Sequence, residues 1–324
     1  MKLNQQTINK IDEVSDAAKK YDFVLVVDIA EGNPNGDPNQ DNRPRLDEET
    51  GQGLISDVCI KRKIRDYVDV VHAGEPGRAI YVLNRDQFLE DVNNDLVKKC
   101  ERDSRFLAQF QDPYRKDKQG KQKGLKHATL SAFACREYYD WRCFGAVPGR
   151  SGDDSEIDQA TVRGPVQFQW GRSIDPIYYQ EHGIGRVVQN RPRGEKQGQE
   201  VHGTFGAKFT VRYAAYRLAG HYSPFLAQRT GFTNDDLKLF WEALINWPCI
   251  DSSAARPCMG VRLLGVFRHE HPFGDAPAHE LLPQVVIPAL GSDGARSWDE
   301  YKGNKQVPSN ADLPEGVTFH LLVG

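Results

Sequence analysis

The sequence lacks the short motifs that mark the common metal and cofactor sites. None of its six cysteines forms a C-x-x-C pair, which argues against a zinc ribbon and against a secreted disulfide framework. No G-x-x-x-x-G-K-[ST] loop and no G-x-S-x-G elbow occurs, so neither a P-loop nucleotide site nor a hydrolase nucleophile is predicted. We expect reduced, mostly buried thiols, no metal and no cofactor.

Long apolar runs and an excess of basic charge are also missing. No apolar run is long enough to span a bilayer, and the polar N-terminus MKLNQQTINKIDEVSD is unlike a signal peptide. The net charge is −3 and the pI is near 6.3, whereas nucleic-acid-binding domains are commonly basic. We expect a cytoplasmic protein without membrane contact, in which nucleic-acid binding would depend on local basic patches.

The histidines approach a metal motif but do not complete one. His269 and His271, with His279 nearby, are two residues apart rather than at the i, i+4 spacing of a helical zinc site. Because Pro272 and Gly274 follow, we interpret these histidines as polar residues at the edge of a strand.

The periodicity of apolar residues predicts a mixed fold. The chain has 324 residues, enough for a large core. The predicted strands cover 23–27, 79–83, 161–170, 184–188, 205–213, 259–268, 284–287 and 317–323, and the predicted helices cover 56–71, 87–100, 130–143 and 233–247. This order predicts an α+β antiparallel-sheet domain of the ferredoxin or RRM kind, with large insertions.

The stretch 23–71 is the most informative part of the sequence. The apolar run 23–27 predicts a strand that is buried on both faces, and 31–53 contains almost nothing that could enter a core. Loops this long inside compact domains are usually functional. The Gly, Pro, Asn and Asp residues between Gly32 and Pro44 specify turns, and turns leave backbone N–H groups free for a ligand.

A basic helix follows this loop. Ser56 is a good N-cap, and Ile55 and Ile60 have the spacing of a hydrophobic staple. One apolar face consists of Ile60, Ile64, Tyr67, Val68 and Val71. The basic residues Lys61, Arg62, Lys63 and Arg65 form either a solvated surface or a phosphate-binding edge, and the neighbouring loop favours the second interpretation.

Three other segments carry charge without core residues. The basic stretch 111–127 is either a solvated, disordered excursion or a finger that contacts phosphates. The stretch 189–203 predicts the tip of a protruding β-hairpin. The stretch 252–257 places Arg256 either on a phosphate or in a solvated tight turn.

Four carboxylates near the first strand raise one enzymatic alternative. Asp28, Asp37, Asp41 and Asp47 would be able to support metal-assisted phosphodiester cleavage. The competing interpretation is that Asp37 and the neighbouring asparagines only close Asx turns, which is their commoner role.

Four stretches together resemble a known family. They are GNPNGDP, NRPRLDEETGQGLISDVCIKRKIRDY, VRGPVQFQWGRSIDPI and DSSAARPCMGVRLLGVFRHEHPFGDAPAH. In order and spacing they resemble the backbone subunit of type I-C CRISPR surveillance (Cascade) complexes, which belongs to a repeat-associated RNA-binding superfamily with a modified RRM core. The resemblance extends from about 21 to 285.

The resemblance implies an architecture and a set of partners. Copies of the chain would stack along one CRISPR guide RNA and display it for pairing with target DNA, beside an RNA-end-capping subunit and the large and small subunits. The RRM-like palm would comprise 1–73 and 161–324, the finger insertion 74–160, and the β-hairpin thumb about 184–209. The thumb would displace one base at each step, while base pairing reads the sequence.

We therefore predict a non-catalytic scaffold that binds RNA through phosphates and 2′-hydroxyls. The predicted contact residues are Asn33, Asn35, Arg43, Arg45, Lys61, Arg62, Lys63, Arg65, Arg163, Arg172, Lys208 and Arg256. Two alternatives stay open. One is a metal-dependent ribonuclease that uses Asp37, because related type III subunits cleave RNA with an Asp in the corresponding loop. The other is a protein-only assembly module.

Overall fold

The computed structural model describes residues 3–83, 88–148, 160–186, 204–291 and 293–324. The strands in these ranges are β1 (Tyr21–Gly32), β2 (Gly36–Asp37), β3 (Arg43–Pro44), β4 (Gln52–Ile55), β5 (Tyr114–Lys116), β6 (Gln122–Leu125), β7 (Gly145–Ala146), β8 (Val162–Arg163), β9 (Val166–Phe168), β10 (Gly171–Pro176), β11 (Tyr179–Arg186), β12 (Thr204–Tyr222), β13 (Cys258–His269) and β14 (Val317–Val323).

The helices connect these strands and cover the sheet. They are α1 (Gln5–Glu13), α2 (Asp57–Val71), α3 (Leu89–Arg102), α4 (Ser104–Leu107), α5 (His127–Glu137), α6 (Tyr139–Phe144), α7 (Pro224–Thr230), α8 (Asn234–Asn246), α9 (Ala278–Leu281) and α10 (Asp299–Lys302). Short 3₁₀ turns cover Trp247–Cys249, Leu282–Gln284 and Asn310–Asp312.

Eight of the described strands form one antiparallel sheet. Its order is β14-β13-β1-β12-β10-β4, and β9 and β11 also pair with β12. Strand β1 is central and pairs with β12 on one side and β13 on the other. The predicted antiparallel α+β class is therefore confirmed.

The alternation of side chains along β1 supplies two cores, one on each face of the sheet. Phe23, Leu25 and Val27 point to a core shared with α2 and α8, whereas Val24 and Val26 point to a core shared with the C-terminal segments. All five side chains are fully buried, as the uninterrupted apolar run predicts.

A third core lies outside the sheet, in what we call the helical unit (the described residues between 79 and 148). Leu96, Phe106, Leu125, Phe133 and Trp141 pack together there. Asp236 at the start of α8 joins this unit to the sheet, because its carboxylate accepts hydrogen bonds from Arg142. The predicted boundaries at 73/74 and 160/161 stay predictions.

The two best-defined helices begin where their sequences predict. The Ser56 side chain accepts a hydrogen bond from the Cys59 N–H at the start of α2. Thr233 and Asp236 form a capping box at the start of α8. The predicted apolar face of α2 is buried at Ile60, Ile64, Tyr67 and Val68, while Val71 in the last turn has 46% of its surface exposed.

Several other element predictions need correction. Residues 79–83 form only an isolated bridge through Ala79, and 284–287 form only a bridge through Val286. The predicted helix 130–143 is two helices, because Tyr138 adopts an extended conformation (φ −108°, ψ 120°). The predicted strand 161–170 is divided into β8 and β9, with Gly164 and Pro165 between them.

The loop 31–53 is more ordered than its composition predicts. Strands β2 and β3 pair within it, and Asn33, Pro44 and Gly53 are buried. A Cβ atom on Gly32 would lie 2.8 Å from the carbonyl oxygen of Ala255, so this glycine permits close contact with the 252–257 turn. None of the three hydrophobic cores in the described part of the chain includes a residue between 31 and 53, as predicted. The order of the loop comes instead from its own β2–β3 pairing and from its contact with the 252–257 turn.

The protruding hairpin is present as β11 and β12, while its predicted tip at 189–203 lies outside the described residues. All six cysteines are free thiols, of which Cys249 and Cys258 are exposed. No helix within the described ranges is long and apolar enough to cross a membrane.

Candidate nucleic-acid interface

A cleft of about 760 Å³ lies between the β2–β3 loop, α2 and the turn after α8. Six of the twelve predicted contact residues line it: Asn35, Arg45, Arg62, Lys63, Arg65 and Arg256. These residues are up to 221 positions apart in sequence, and the fold brings them to one place. Five cationic residues of the lining face two acidic ones, Asp66 and Asp251. The cleft is therefore a basic site on a chain whose net charge is −3.

Helix α2 presents its basic residues at different depths. Arg62 has 70% of its side chain exposed, and its only ion pair among the described residues is with Asp66, at 3.6 Å one turn away. Partial burial raises the pKa of Asp66, and nearby Asp251 adds to the effect. Exposed pairs of this kind contribute little stability, so Arg62 is available to an anionic ligand.

Lys63, which we predicted as a phosphate contact, is buried. Only 5% of its side chain is exposed, its ammonium contacts the Asp251 carboxylate, and it lies 4.6 Å from the centre of the Trp247 ring. Asp251 also accepts a hydrogen bond from Arg256 Nε at 3.0 Å. The Asp251 carboxylate therefore holds the 252–257 turn against α2. Because it is shared by Lys63 and Arg256, one positive charge remains in excess.

Arg65 and Lys61 are also committed to partners. Arg65 Nε donates to the buried Asp140 carboxylate at 2.8 Å. Lys61 forms an ion pair with Asp57 at 3.0 Å and faces Gln167 instead of the cleft. Both residues lie beside the Phe144 ring. Their observed contacts therefore connect α2 to the helical unit.

The two predicted asparagines shape the loop. Asn35 Oδ1 accepts hydrogen bonds from the backbone N–H and the hydroxyl of Ser56, at 2.8 and 3.0 Å, so it fixes the loop to the start of α2. Asn33 is buried and its side-chain amide donates to the Asn42 carbonyl at 2.7 Å. Its Oδ1 is buried without a hydrogen-bond partner in the structure.

Asp37 is engaged in the same loop. Its Oδ1 accepts a hydrogen bond from the Asn39 N–H at 3.0 Å, which closes an Asx turn, and its Oδ2 contacts Arg45 Nη1 at 3.2 Å. No group of three or more His, Cys, Asp or Glu side chains that would suit a metal ion occurs in the parts of the chain that the structure describes.

A second cationic group lies beside the cleft, with aromatic partners that the sequence analysis missed. Arg45 lies 5.8 Å from the centre of the Trp170 ring, and Arg43 lies 5.4 Å from that of Phe209. Half of the Trp170 surface is exposed. Part of the signal was present, since Trp170 is the last residue of the predicted strand 161–170 and precedes Gly171, but its exposure is not visible in the sequence.

The remaining predicted residues lie outside the cleft. Arg172 on β10 contacts the Asp47 carboxylate. Arg163 is exposed on β8, opposite Gly145 of β7. Lys208 lies on β12 opposite His182, within the β11–β12 hairpin. The cleft thus contains half of the predicted set, and of the other six residues only Arg172 and Lys208 lie on strands of the eight-stranded sheet.

The interpretation of His269 as a polar edge residue is wrong. Its side chain is fully buried, and its Nε2–H donates to the Asp22 carboxylate at 3.0 Å. Its Nδ1 accepts a hydrogen bond from the Asp275 N–H, which fixes the tautomer, and His221 contacts the other Asp22 oxygen at 2.6 Å. This network holds the turn after β13 to β1.

Comparison with known proteins gives matches along most of the chain. The family model described as CRISPR-associated protein Cas7 matches residues 19–305. A relative from Haloferax volcanii, named CRISPR-associated protein Cas7, is 27% identical over 250 residues, which cover 70% of this chain and 64% of that relative. The match thus covers less than two thirds of that relative's own length.

Three solved structures resemble the fold. One is titled CRISPR RNA-guided surveillance complex, pre-nicking (TM-score 0.42, 14% identity, 76% of this chain and 78% of the other). A second is titled CRISPR RNA-guided surveillance complex (TM-score 0.41, 16% identity, 85% and 77%). A third is a cryo-EM structure of the Type III-B Cmr-beta bound to cognate target RNA (TM-score 0.38, 11% identity, 81% and 66%).

Proposed function

The chain belongs to the Cas7 family of CRISPR-associated proteins, and on this premise we propose that it is a non-catalytic backbone subunit that binds CRISPR guide RNA. The observation that carries the proposal is the concentration of five cationic residues in the lining of the cleft, among which Arg62 is 70% exposed and forms, among the described residues, only a 3.6 Å ion pair with Asp66. Because a phosphate backbone is attracted to such a field at any base sequence, the cleft suits a guide whose sequence varies.

The cleft residues have different roles in this proposal. Arg62 and Arg256 have the most exposed side chains of the five cations, and they contact phosphates. Lys63 adds positive charge at the base of the cleft, while its ammonium stays against the Trp247 ring. Trp170 offers an exposed ring beside Arg45, on which an unpaired base stacks.

The larger assembly follows from the motif resemblance to the type I-C subunit. In this proposal copies of the chain stack along one guide in the cytoplasm, together with the RNA-end-capping, large and small subunits, and display the guide to target DNA. The eight-stranded sheet acts as the palm, the helical unit as the fingers and the β11–β12 hairpin as the thumb.

The proposal is tested with the variant Arg62→Gln/Arg256→Gln. Each phosphate contact to a single strand contributes about 0.7 to the slope of log K against log salt concentration. Loss of two contacts should lower the slope by about 1.4 and weaken binding about 25-fold near 0.1 M salt. Fluorescence anisotropy with two labelled RNAs of unrelated sequence measures both quantities, and the loss should be equal for the two RNAs.

The matched control is Arg296→Gln/Lys302→Gln, which removes the same charge near α10 on the opposite face of the sheet. Unchanged RNA binding by the cleft variant, or an equal loss in the control, would contradict the proposal. A low ratio of absorbance at 260 nm to that at 280 nm in the native assembly would instead favour a protein-only assembly module.

The absence of catalysis is part of the proposal. Its support is the engagement of the Asp37 carboxylate by Arg45 and by the Asn39 N–H. Incubation of the native assembly with complementary RNA and Mg²⁺ should yield no cleavage product. A metal-dependent cleavage product that disappears in Asp37→Ala would contradict the scaffold proposal and show that the protein is a ribonuclease.

A further inference from the structure

The basic stretch 111–127 forms an ordered β-hairpin, made of β5 and β6, on the helical unit. It contains six Lys and Arg residues and two Asp residues, so it is strongly cationic on a chain with net charge −3. None of its residues lines the cleft. The hairpin is thus a second concentration of positive charge, and the cleft does not account for it.

The hairpin is anchored to the helical unit at its base, and its turn is ordered by hydrogen bonds within the turn. Leu125 is fully buried in the core of the helical unit, and Tyr114 packs against the same core. At the tip, Asp117 Oδ1 accepts hydrogen bonds from the N–H groups of Gln119 and Lys121, at 2.9 and 2.8 Å. The charges between these anchors are therefore carried by a defined ribbon.

Half of the six basic residues have no ion pair among the residues that the structure describes. Asp112 pairs with Lys126 at 2.9 Å and with Lys116 at 3.9 Å. Lys118, Lys121 and Lys123 are exposed and form no ion pair within the residues that the structure describes. Arg115 lies opposite Gly124 and Lys116 lies opposite Gln122, so the three exposed lysines lie at the turn end of the hairpin, where an anionic ligand can reach them.

The composition of the hairpin indicates which polyanion fits. Residues 115–124 contain no aromatic side chain, whereas sites for single strands stack unpaired bases on aromatic rings. A contact through lysines alone suits a double helix, whose bases are already stacked and whose phosphates are dense. A two-stranded ribbon also has the width to enter the major groove of a duplex.

We propose that the β5–β6 hairpin is a second nucleic-acid contact, which grips the phosphate backbone of a double helix outside the guide-binding cleft and without sequence preference. The inference rests on the proposed function, because it assigns the cleft to single-stranded guide RNA and the hairpin to a duplex. Duplex DNA and an RNA–DNA hybrid share the phosphate chemistry, and the experiment uses both as probes.

The test compares the variant Lys118→Gln/Lys121→Gln/Lys123→Gln with a charge-matched control, Lys98→Gln/Lys238→Gln/Lys302→Gln. The control lysines each form a surface ion pair with an Asp residue. Binding of labelled 30-base-pair duplexes of arbitrary sequence, DNA–DNA and RNA–DNA, is titrated over a range of salt concentrations, with both the guide-loaded assembly and the free chain. Single-stranded RNA is titrated in parallel.

We expect the hairpin variant to lower the salt slope for a duplex by about 2.7, about 0.9 for each lysine, and to weaken binding by up to about 500-fold near 0.1 M salt. Single-stranded RNA binding should stay at the wild-type value. The duplex that loses more affinity identifies the source of the phosphates.

Unchanged duplex binding, or an equal loss in the control, would overturn the inference. An equal loss of single-stranded RNA binding would overturn it as well, since the hairpin would then belong to the guide site. If the guide proposal is wrong, a different result is expected: the Arg62/Arg256 variant keeps the wild-type affinity for RNA. The duplex titration of the free chain still tests the role of the hairpin in that case.

Discussion

Replacement of Asp140 by Asn tests how α2 is joined to the helical unit. Asp140 has only 1% of its surface exposed. One carboxylate oxygen accepts a hydrogen bond from the Tyr81 N–H at 2.9 Å, and the other accepts from Arg65 Nε at 2.8 Å and from the Val82 N–H at 3.1 Å. Asn has a single acceptor oxygen, so in either orientation an amide N–H of residue 140 faces a buried N–H donor.

The expected cost follows from these contacts. A buried donor without a partner costs about 1–3 kcal/mol, and removal of one partner from a buried ion pair costs about 3–5 kcal/mol. The two effects share the Arg65 guanidinium and do not add fully, so we expect about 4 kcal/mol. At an unfolding entropy of about 2.1 cal/mol/K per residue, a chain of 324 residues should lose about 6 °C in Tm.

Thermal unfolding followed by circular dichroism measures this loss, and hydrogen exchange should show faster exchange at the Tyr81 and Val82 amides. The control is Asp299→Asn, which removes an exposed carboxylate paired with Lys302 and should change Tm by less than about 1 °C. A Tm for Asp140→Asn within about 2 °C of wild type, with unchanged exchange, would refute the reasoning.

Two further predictions concern Asp22 and Trp170. Burial alone would raise the pKa of Asp22, but hydrogen bonds from His221 and His269 reverse this and hold it well below its usual range. Its stabilising contribution is therefore complete above the unfolded-state pKa of about 3.9 and is lost as the pH falls below it. Denaturant unfolding between pH 6 and pH 2 should accordingly show a shallower acid loss in Asp22→Asn than in wild type, and parallel curves would contradict this. Trp170→Ala should weaken binding of single-stranded RNA by about 1–3 kcal/mol without a change in salt slope, whereas the exposed control Tyr178→Ala should bind normally; equal binding by both variants in an anisotropy titration would remove the stacking role.

Local signals predicted the elements that depend on neighbouring residues. The caps at Ser56 and Thr233 are determined by contacts three residues apart, and the β1 strand by an uninterrupted apolar run. The predicted strands at 79–83 and 284–287 failed because pairing of a strand depends on distant partners, which a short apolar run does not specify.

The site was predictable in residue type but not in arrangement. Lys63 and Arg65 looked equivalent to Arg62 in sequence, yet each contacts a carboxylate that lies far away in the chain: Lys63 contacts Asp251, 188 positions away, and Arg65 contacts Asp140, 75 positions away. Only the fold reveals which of the three cations keeps its charge available. Trp170 was missed for the same reason, since its exposure depends on how the connection between β9 and β10 packs in the fold.

Strand β12 has a mechanical consequence for the hairpin that it builds. It is one continuous strand of 19 residues, about 65 Å in length. It pairs with β11 over 204–211 and continues into its pairing with β1 over 211–222. The β11–β12 hairpin is therefore a rigid extension of a strand whose other half is fixed beside the central strand β1. Because β12 has no loop between its two pairings, the twist of the sheet determines the direction in which the hairpin projects. A force on the end of the hairpin acts on the hydrogen bonds between β12 and β1.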